Sequence, residues 1–121
     1  MDKYLASTVN TSQGDYRVIV GKSILSELGK ELEKANLKNK KCFFISDKSM
    51  FPKQTKKVHE VLESQGFITN SLSLEFSEEL KNYNTVSKIY NWLAEMKVER
   101  KDFLISMGGG VAGDIIGFAA S

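Results

Sequence analysis

Apolar residues recur along the chain with two different periods, and their order predicts alternating strands and helices. Tyr4–Val9 and Tyr16–Val20 are short β-type segments on either side of the polar cluster Asn10–Asp15, which predicts a hairpin or a pair of edge strands. Phe43–Ile45 lies in a run that is apolar on both faces, as a central parallel strand requires. Further strands are predicted at Phe67–Leu74 and Phe103–Met107.

Apolar residues with helical spacing predict a helix after the two N-terminal segments and after each later strand. Ser23 is a candidate N-cap for the first helix, and the lysine-rich stretch Lys34–Lys41 is typical of a solvated helix end and loop. The second helix is predicted at Gln54–Gln65, with Pro52 in the connection before it and Gly66 as its stop.

Asn84 or Thr85 is predicted to cap the third helix, which runs to Met96, and the last helix follows the glycines near Gly110. Strands that alternate with helices indicate an α/β fold. We therefore predict a Rossmann-like, open, mostly parallel sheet with helices on both faces and an N-terminal β-hairpin. Residues 1–121 are predicted to form one domain, since this length suits a single domain.

The segment Ser106–Asp114 carries the strongest chemical signal. Gly108, Gly110 and Gly113 fit the pattern G-x-G-x-x-G, with a predicted strand before it and a helix after it. Glycines in this place let a phosphate or dinucleotide approach the backbone N–H groups at the positive end of a helix dipole. Asp114 is expected in the first turn of the helix. A structural turn with a capping aspartate is the alternative interpretation.

The position of the glycines departs from the usual Rossmann order, because they follow the last strand instead of the first. A carboxylate that holds a ribose must then come from earlier in the chain. Asp47 ends the central strand, although it can equally cap the next segment. Glu78 and Lys81 are an acid and a base in the acidic loop Glu75–Lys81, where a solvated charged loop is the alternative.

Composition limits the classes of partner and compartment. A formal charge of +2 gives no reason to expect nucleic acid or an anionic membrane. Cys42 is the only cysteine, which suits a reducing cytoplasm, and we expect it to pack as a small hydrophobe. His59 is expected at the surface of a helix and not at a metal, and Tyr90 and Trp92 are expected in the core.

Together these segments resemble 3-dehydroquinate synthase. The similarity is strongest in Ser106–Ser121, continues back through Glu78-x-x-Lys81, and includes Tyr16–Gly29 near the N-terminus. The resemblance implies a lyase of the shikimate pathway that converts 3-deoxy-D-arabino-heptulosonate 7-phosphate to 3-dehydroquinate and phosphate. It also implies a resident NAD, a zinc or cobalt ion held by a later helical domain, and a homodimer.

The resemblance further assigns cofactor contacts within this chain. Glu78 and Lys81 would hold the adenosine ribose of NAD, and Asp47 would stand near the adenine–ribose end. Phe76-Ser77 departs from the Asp-Gly that the family often has before this glutamate. The pyrophosphate and the nicotinamide side would lie against the glycine segment, at Gly109, Gly110, Val111, Gly113 and Asp114. No catalytic or metal-ligating residue is expected within the chain.

Two alternatives share the glycine segment: a related sugar-phosphate cyclase, and a glycerol or alcohol dehydrogenase of the same superfamily. A non-catalytic nucleotide-binding module is an alternative of another class. The apolar end Phe118–Ser121 carries no helix stop signal, which favours the N-terminal part of a larger enzyme. Such a part is expected to lack turnover, and to pair with a second copy or to be only marginally stable.

Overall fold

A computed structural model describes residues 4–21, 24–34, 41–49 and 52–121. Short 3-10 helices at Ile24–Glu27 and Glu78–Leu80 accompany the regular elements. In chain order, the regular elements are β1 (Tyr4–Thr11), β2 (Gly14–Gly21), α1 (Leu28–Lys34), β3 (Lys41–Asp47), α2 (Pro52–Ser64), β4 (Ile68–Leu74), α3 (Tyr83–Glu95), β5 (Phe103–Met107) and α4 (Gly110–Ala120).

The N-terminal hairpin is confirmed, but its turn is shorter than predicted. β1 and β2 pair antiparallel from Tyr4 opposite Gly21 to Thr11 opposite Gly14, so the strands extend into the polar cluster. Gly14 has a φ of 129°, a conformation that other residues rarely adopt, and it lets the chain reverse just after Gln13. The hairpin forms a sheet of its own.

The remaining strands form a parallel sheet in the order β4-β3-β5. β3 lies in the centre, as its uniformly apolar run predicts, and its residues from Cys42 to Asp47 are all buried. The register places Asp47 beside Leu74 and Ser46 beside Met107. The carboxyl ends of all three strands therefore meet at one edge.

Helices cover both faces of this sheet, as predicted for a Rossmann-like fold. Phe43 and Ile45 pack with buried residues of α3 and α4, and the ring of Trp92 meets that of Phe43 edge-on at 5.8 Å. Cys42 and Phe44 point to the other face, where they join Val58, Leu62 and Phe67 with partly buried residues around α1. Trp92 and Cys42 thus lie in the core, as expected.

Several predicted boundaries and one predicted core residue were wrong. Pro52 begins α2 instead of preceding it, because proline at the first helical position loses no intrahelical hydrogen bond. Asn82 caps α3 in place of Asn84 or Thr85, and its side-chain oxygen accepts from the Thr85 N–H at 3.2 Å. Tyr90 is 46% exposed, because it lies beside the buried face of α3 and not on it.

Two further local predictions concern the end of α2 and the start of the first helix. Gly66 follows α2 with a φ of 90°, which confirms it as the stop of that helix. The first predicted helix begins with the 3-10 turn Ile24–Glu27 before α1. Its predicted cap, Ser23, and residues 35–40 of the lysine-rich stretch lie outside the described residues.

Candidate functional site

The glycine bend between β5 and α4 leaves open space in front of its backbone. Gly109 is the N-cap of α4, and its φ of −85° is an ordinary extended value. A Cβ built on Gly109, Gly110 or Gly113 would meet no heavy atom of the described residues within 4 Å. The bend is therefore accessible to a ligand.

The first turn of α4 presents N–H groups that have no partner within the helix. At the start of the helix, the Gly113 N–H donates a backbone hydrogen bond to the Gly109 carbonyl at 3.1 Å. The N–H groups of the three residues before Gly113 therefore have no acceptor within α4, which is described throughout. Such groups, at the positive end of a helix dipole, bind anions.

Gly108 has a different role from the glycines that follow it. A Cβ on Gly108 would lie 2.7 Å from the Ala112 Cβ and 3.3 Å from the Asp47 Cβ. Only a residue without a side chain lets the end of β5 approach the end of β3 and the start of α4 this closely. Gly108 thus serves close packing, whereas Gly109 and Gly110 border open space.

Asp47 lies at the same edge of the sheet, and its carboxylate is engaged locally. It is 5% exposed, and Oδ1 accepts from the Ser49 N–H at 3.0 Å and from the Ser49 hydroxyl at 2.7 Å. These bonds stabilise the turn after β3. Capping the segment after β3 was the alternative role that the sequence offered for Asp47. Contact with Gly108 nevertheless keeps Asp47 next to the glycine bend.

The strand order places this edge where a ligand is expected. The chain leaves β3 for β4 through α2 on one face, then returns past β3 to β5 through α3 on the other face. The order therefore reverses between β3 and β5. In open α/β sheets, ligands bind beyond the carboxyl ends of the strands at such a reversal. Asp47 and Gly108 lie on its two sides.

Lys81 forms an ion pair that the sequence did not predict. Its Nζ lies 3.0 Å from Oδ2 of Asp114, and the two side chains are 44% and 63% exposed. The hydrogen bond and the charge of Asp114, and then the charge of Glu78, raise the pKa of Lys81. The loop that carries Glu78 and Lys81 is thus joined to α4. No local sequence pattern could reveal this pair, since it depends on how α4 packs beside the loop.

Asp114 does not lie in the first turn of its helix, contrary to the expectation from the sequence. α4 begins at Gly110, so Asp114 falls in the second turn, and the first turn contains no acidic residue. The effect of a helix dipole falls off within the first turn. The carboxylate is therefore held by Lys81 and not by the dipole.

A groove of about 430 Å³ begins at this ion pair and continues between the first turns of α3 and the middle of α4. Phe118 is 56% exposed in it, whereas Ile115 and Ile116 are buried. The apolar end of the chain is thus covered on one side of α4 and open on the other. The groove is lined by Lys81, Asn82, Tyr83, Val86, Asp114, Ile115 and Phe118.

Potential metal ligands are scattered in the described ranges. Residues 4–21, 24–34, 41–49 and 52–121 contain no group of three His, Cys, Asp or Glu side chains that could hold a metal ion. His59 is half-buried, with Nε2 at 2.8 Å from Glu63 and Nδ1 at 3.1 Å from the Thr69 hydroxyl. Within the same ranges, every helix is too short or too polar to cross a lipid bilayer.

Comparison with known proteins finds similarity to one family of synthases. Residues 71–121 match the family model described as 3-dehydroquinate synthase N-terminal. The chain is 37% identical over 113 residues to 3-dehydroquinate synthase of Clostridium botulinum. These aligned residues are 93% of the chain and 32% of that protein. The chain is 38% identical over 118 residues to that of Clostridium kluyveri, covering 96% of the chain and 32% of that protein. The chain spans about a third of the length of these relatives.

Solved structures share the fold at lower sequence identity. One is 2-deoxy-scyllo-inosose synthase, with a TM-score of 0.83 and 17% identity, over 96% of this chain and 32% of that one. It has also been solved with carbaglucose-6-phosphate, NAD+ and Co2+. Another is a Streptomyces hygroscopicus 2-epi-5-epi-valiolone synthase with NAD+ and Zn2+, at a TM-score of 0.67 and 22% identity over 78% of this chain and 26% of that one. The resemblance that the sequence indicates is thereby confirmed: over most of its length this chain is similar in sequence to part of the 3-dehydroquinate synthases, and it shares its fold with part of the two synthases of known structure.

Proposed function

We propose that residues 1–121 are the NAD-binding domain of a 3-dehydroquinate synthase. The enzyme would eliminate phosphate from 3-deoxy-D-arabino-heptulosonate 7-phosphate and close the ring to give 3-dehydroquinate, within the shikimate pathway of aromatic amino acid biosynthesis. The observation that carries the proposal is the open glycine bend at the reversal of strand order, where Gly109 and Gly110 border free space.

The residues of the bend fit the charged centre of a dinucleotide. Gly109, Gly110 and Val111 would lie against the pyrophosphate and the nicotinamide ribose, with their N–H groups directed to the phosphate oxygens. Gly113 leaves room on the next turn of α4. When bound, NAD supplies the acceptor and later the donor of a hydride. The chain itself would bind, orient and shield this cofactor.

The adenosine end would lie toward β3 and β4. Glu78 would accept hydrogen bonds from the ribose hydroxyls, since a carboxylate is the usual partner of a free 2′-hydroxyl. Lys81 would donate to a hydroxyl of the same ribose, and Asp47 would border the adenine–ribose end from the carboxyl end of β3. These three side chains occupy positions at the ends of neighbouring strands or in the loop that follows them.

Sequence identity favours a synthase over a related cyclase. The chain is 37% identical to the Clostridium botulinum synthase and 17% identical to 2-deoxy-scyllo-inosose synthase. The cyclase is kept as a second candidate because its fold matches 96% of the chain. A sugar phosphate is the proposed substrate class for either enzyme.

Further properties of the proposed enzyme follow from the family. A zinc or cobalt ion would be bound by a later helical domain, the enzyme would be a homodimer, and it would act in the cytoplasm. Because the family has its metal ligands in that later domain, we expect no turnover from the 121-residue chain alone.

Calorimetric titration of the 121-residue chain with NAD tests the proposal. We expect weak but saturable heat for the wild-type chain and its loss in Gly110→Val, because the valine side chain would fill the space in front of the bend. Gly117→Val is the matched control, since Gly117 lies in the same helix and a Cβ there also meets open space. Absence of binding by the wild-type chain, or equal heats in both variants, would refute the assignment.

A further inference from the structure

One face of the hairpin of β1 and β2 is packed against α1. The Arg17 Nη1 of β2 lies 2.7 Å from the Glu31 Oε1 of α1. Ile19, two residues further along β2, lines a small apolar pocket together with Leu28 of the same helix. Because successive side chains of a strand point to opposite faces, the residues that alternate with these two belong to the other face of the hairpin.

That other face exposes three apolar side chains of β2. Tyr16 is 56% exposed, Val18 47% and Val20 62%. From β1, the register adds Ser7 opposite Val18 and Val9 opposite Tyr16, and we call these five residues the outer face of the hairpin. Strands that are apolar on both faces are normally covered on both, as β3 is in this domain. The pattern therefore indicates that the outer face has a partner.

Charge separates the two faces of the hairpin. Asp15 and Arg17 are the charged residues of the two strands, and the alternation places both on the same face as Ile19. The outer face thus carries no charge from either strand. The buried core of a protein interface is likewise depleted in charged residues and enriched in tyrosine. The outer face has the composition of such a core.

We propose that the outer face is an interface between two copies of this chain, which pack hairpin against hairpin around a twofold axis. A twofold interface brings the same patch of both copies together, so the patch must be complementary to itself. An uncharged patch of Tyr, Val and Ser meets this requirement, because it brings no like charges together. The inference rests on the homodimer of the proposed function and names the surface that forms it.

The exposed area suits a weak dimer. The exposed fractions of Tyr16, Val18 and Val20 correspond to roughly 300 Å² in one copy, or about 600 Å² when two copies meet. A specific interface buries about 1,000 Å² or more in total, so the polar rim of the hairpin must supply the rest. Interfaces at this lower limit form reversible complexes, and we expect a dissociation constant on the order of 10 μM.

Sedimentation equilibrium of the 121-residue chain across this dissociation constant tests the inference. The mass should rise with concentration from 13.6 kDa toward twice that value. Val18→Lys should weaken association at least about tenfold, because it would bury two like charges at the centre of the interface. Ile68→Lys is the matched control, since Ile68 is a strand residue of β4 with 64% exposure, and it should leave the association unchanged.

A second control separates the outer face from the groove between α3 and α4. Phe118 is exposed in that groove, and Phe118→Lys should leave the dimer intact. Dissociation by Phe118→Lys and not by Val18→Lys would assign the contact to the groove and overturn the inference. A wild-type chain that stays monomeric over the whole concentration range would also overturn it.

A disulfide trap tests the same geometry without adding a charge. Val18 is the central residue of the three on β2, so a twofold axis through the outer face brings the two copies of this residue close together. Val18→Cys should form a covalent dimer when diamide is added, whereas Ile68→Cys should stay monomeric. The native Cys42 is fully buried and does not compete in the folded chain. Equal cross-linking of the two variants, or none in either, would overturn the inference.

The outcomes distinguish this inference from the NAD-binding function. The hairpin contributes none of the residues assigned to NAD, so Val18→Lys should keep the NAD affinity of the wild-type chain. A monomeric wild-type chain that binds NAD would refute the dimer surface and leave the function standing. A wild-type chain that forms the Val18-dependent dimer but gives no heat with NAD would support the surface and refute the function.

Discussion

Replacing Gly108 with alanine tests whether this glycine packs the sheet edge or faces the ligand. The new Cβ would lie 2.7 Å from the Ala112 Cβ and 3.3 Å from the Asp47 Cβ. Carbon atoms prefer separations of about 3.5–4.0 Å, so β5 and α4 must move apart. Such overpacking costs about 1–3 kcal/mol, and the lower entropy of the unfolded alanine variant offsets about 0.4–1 kcal/mol.

The free energy of unfolding should thus fall by roughly 1–2 kcal/mol, which corresponds to a fall of roughly 4–8 °C in melting temperature for a chain of this size. Gly109→Ala is the control at the neighbouring position, because a Cβ there meets no described atom within 4 Å and the backbone φ is −85°. We expect its melting temperature to be unchanged or slightly higher. Thermal unfolding followed by circular dichroism compares the two variants. Equal melting temperatures for Gly108→Ala and wild type would refute the close approach of the two strand ends.

Four further predictions concern other parts of the domain. Glu78→Gln should weaken NAD binding about tenfold, because the carboxylate accepts hydrogen bonds from the ribose hydroxyls. It should also reduce the preference for NAD over NADP, because the carboxylate repels a 2′-phosphate. Calorimetry with both dinucleotides measures the two effects. Burial raises the pKa of Cys42 from 9.0 to about 12, so the thiol should resist alkylation at pH 8 until the chain is unfolded. The same shift should lower the free energy of unfolding by up to about 1.4 kcal/mol per pH unit between pH 9 and 12, with no effect below pH 9, as urea titrations can measure. Ile89→Ala should lose about 2–5 kcal/mol in urea unfolding, because this side chain is fully buried between α3 and the sheet.

Elements with a strong local pattern could be predicted from the sequence. The run Phe43–Ile45 is apolar at every position, and only a strand covered on both faces can bury all of it. The glycine bend was predicted for a similar reason, since a strand, consecutive glycines and a helix follow each other without interruption. These predictions needed no knowledge of distant contacts.

Choices between equivalent neighbours could not be made in this way. Asn82, Asn84 and Thr85 are all suitable N-caps by residue type, and α3 begins at Tyr83, so Asn82 takes this position. The helix after the bend could likewise begin at any of several glycines. Its start at Gly110 moves Asp114 into the second turn, which changes the physical role of that carboxylate.

The glycine pattern itself combines two physical requirements that only the structure separates. Gly108 must lack a side chain because β3 and α4 press against it, whereas Gly109 and Gly110 lack one where the backbone faces open space. Replacing a glycine that is needed for packing lowers the stability of the fold. Replacing a glycine that faces the ligand lowers the affinity for the ligand. A Cβ on Gly108 would also lie 3.3 Å from the Asp47 Cβ, so a side chain there would push Asp47 away from the bend. Stability and cofactor affinity should therefore fall together for substitutions at Gly108, whereas affinity alone should fall for those at Gly109 and Gly110.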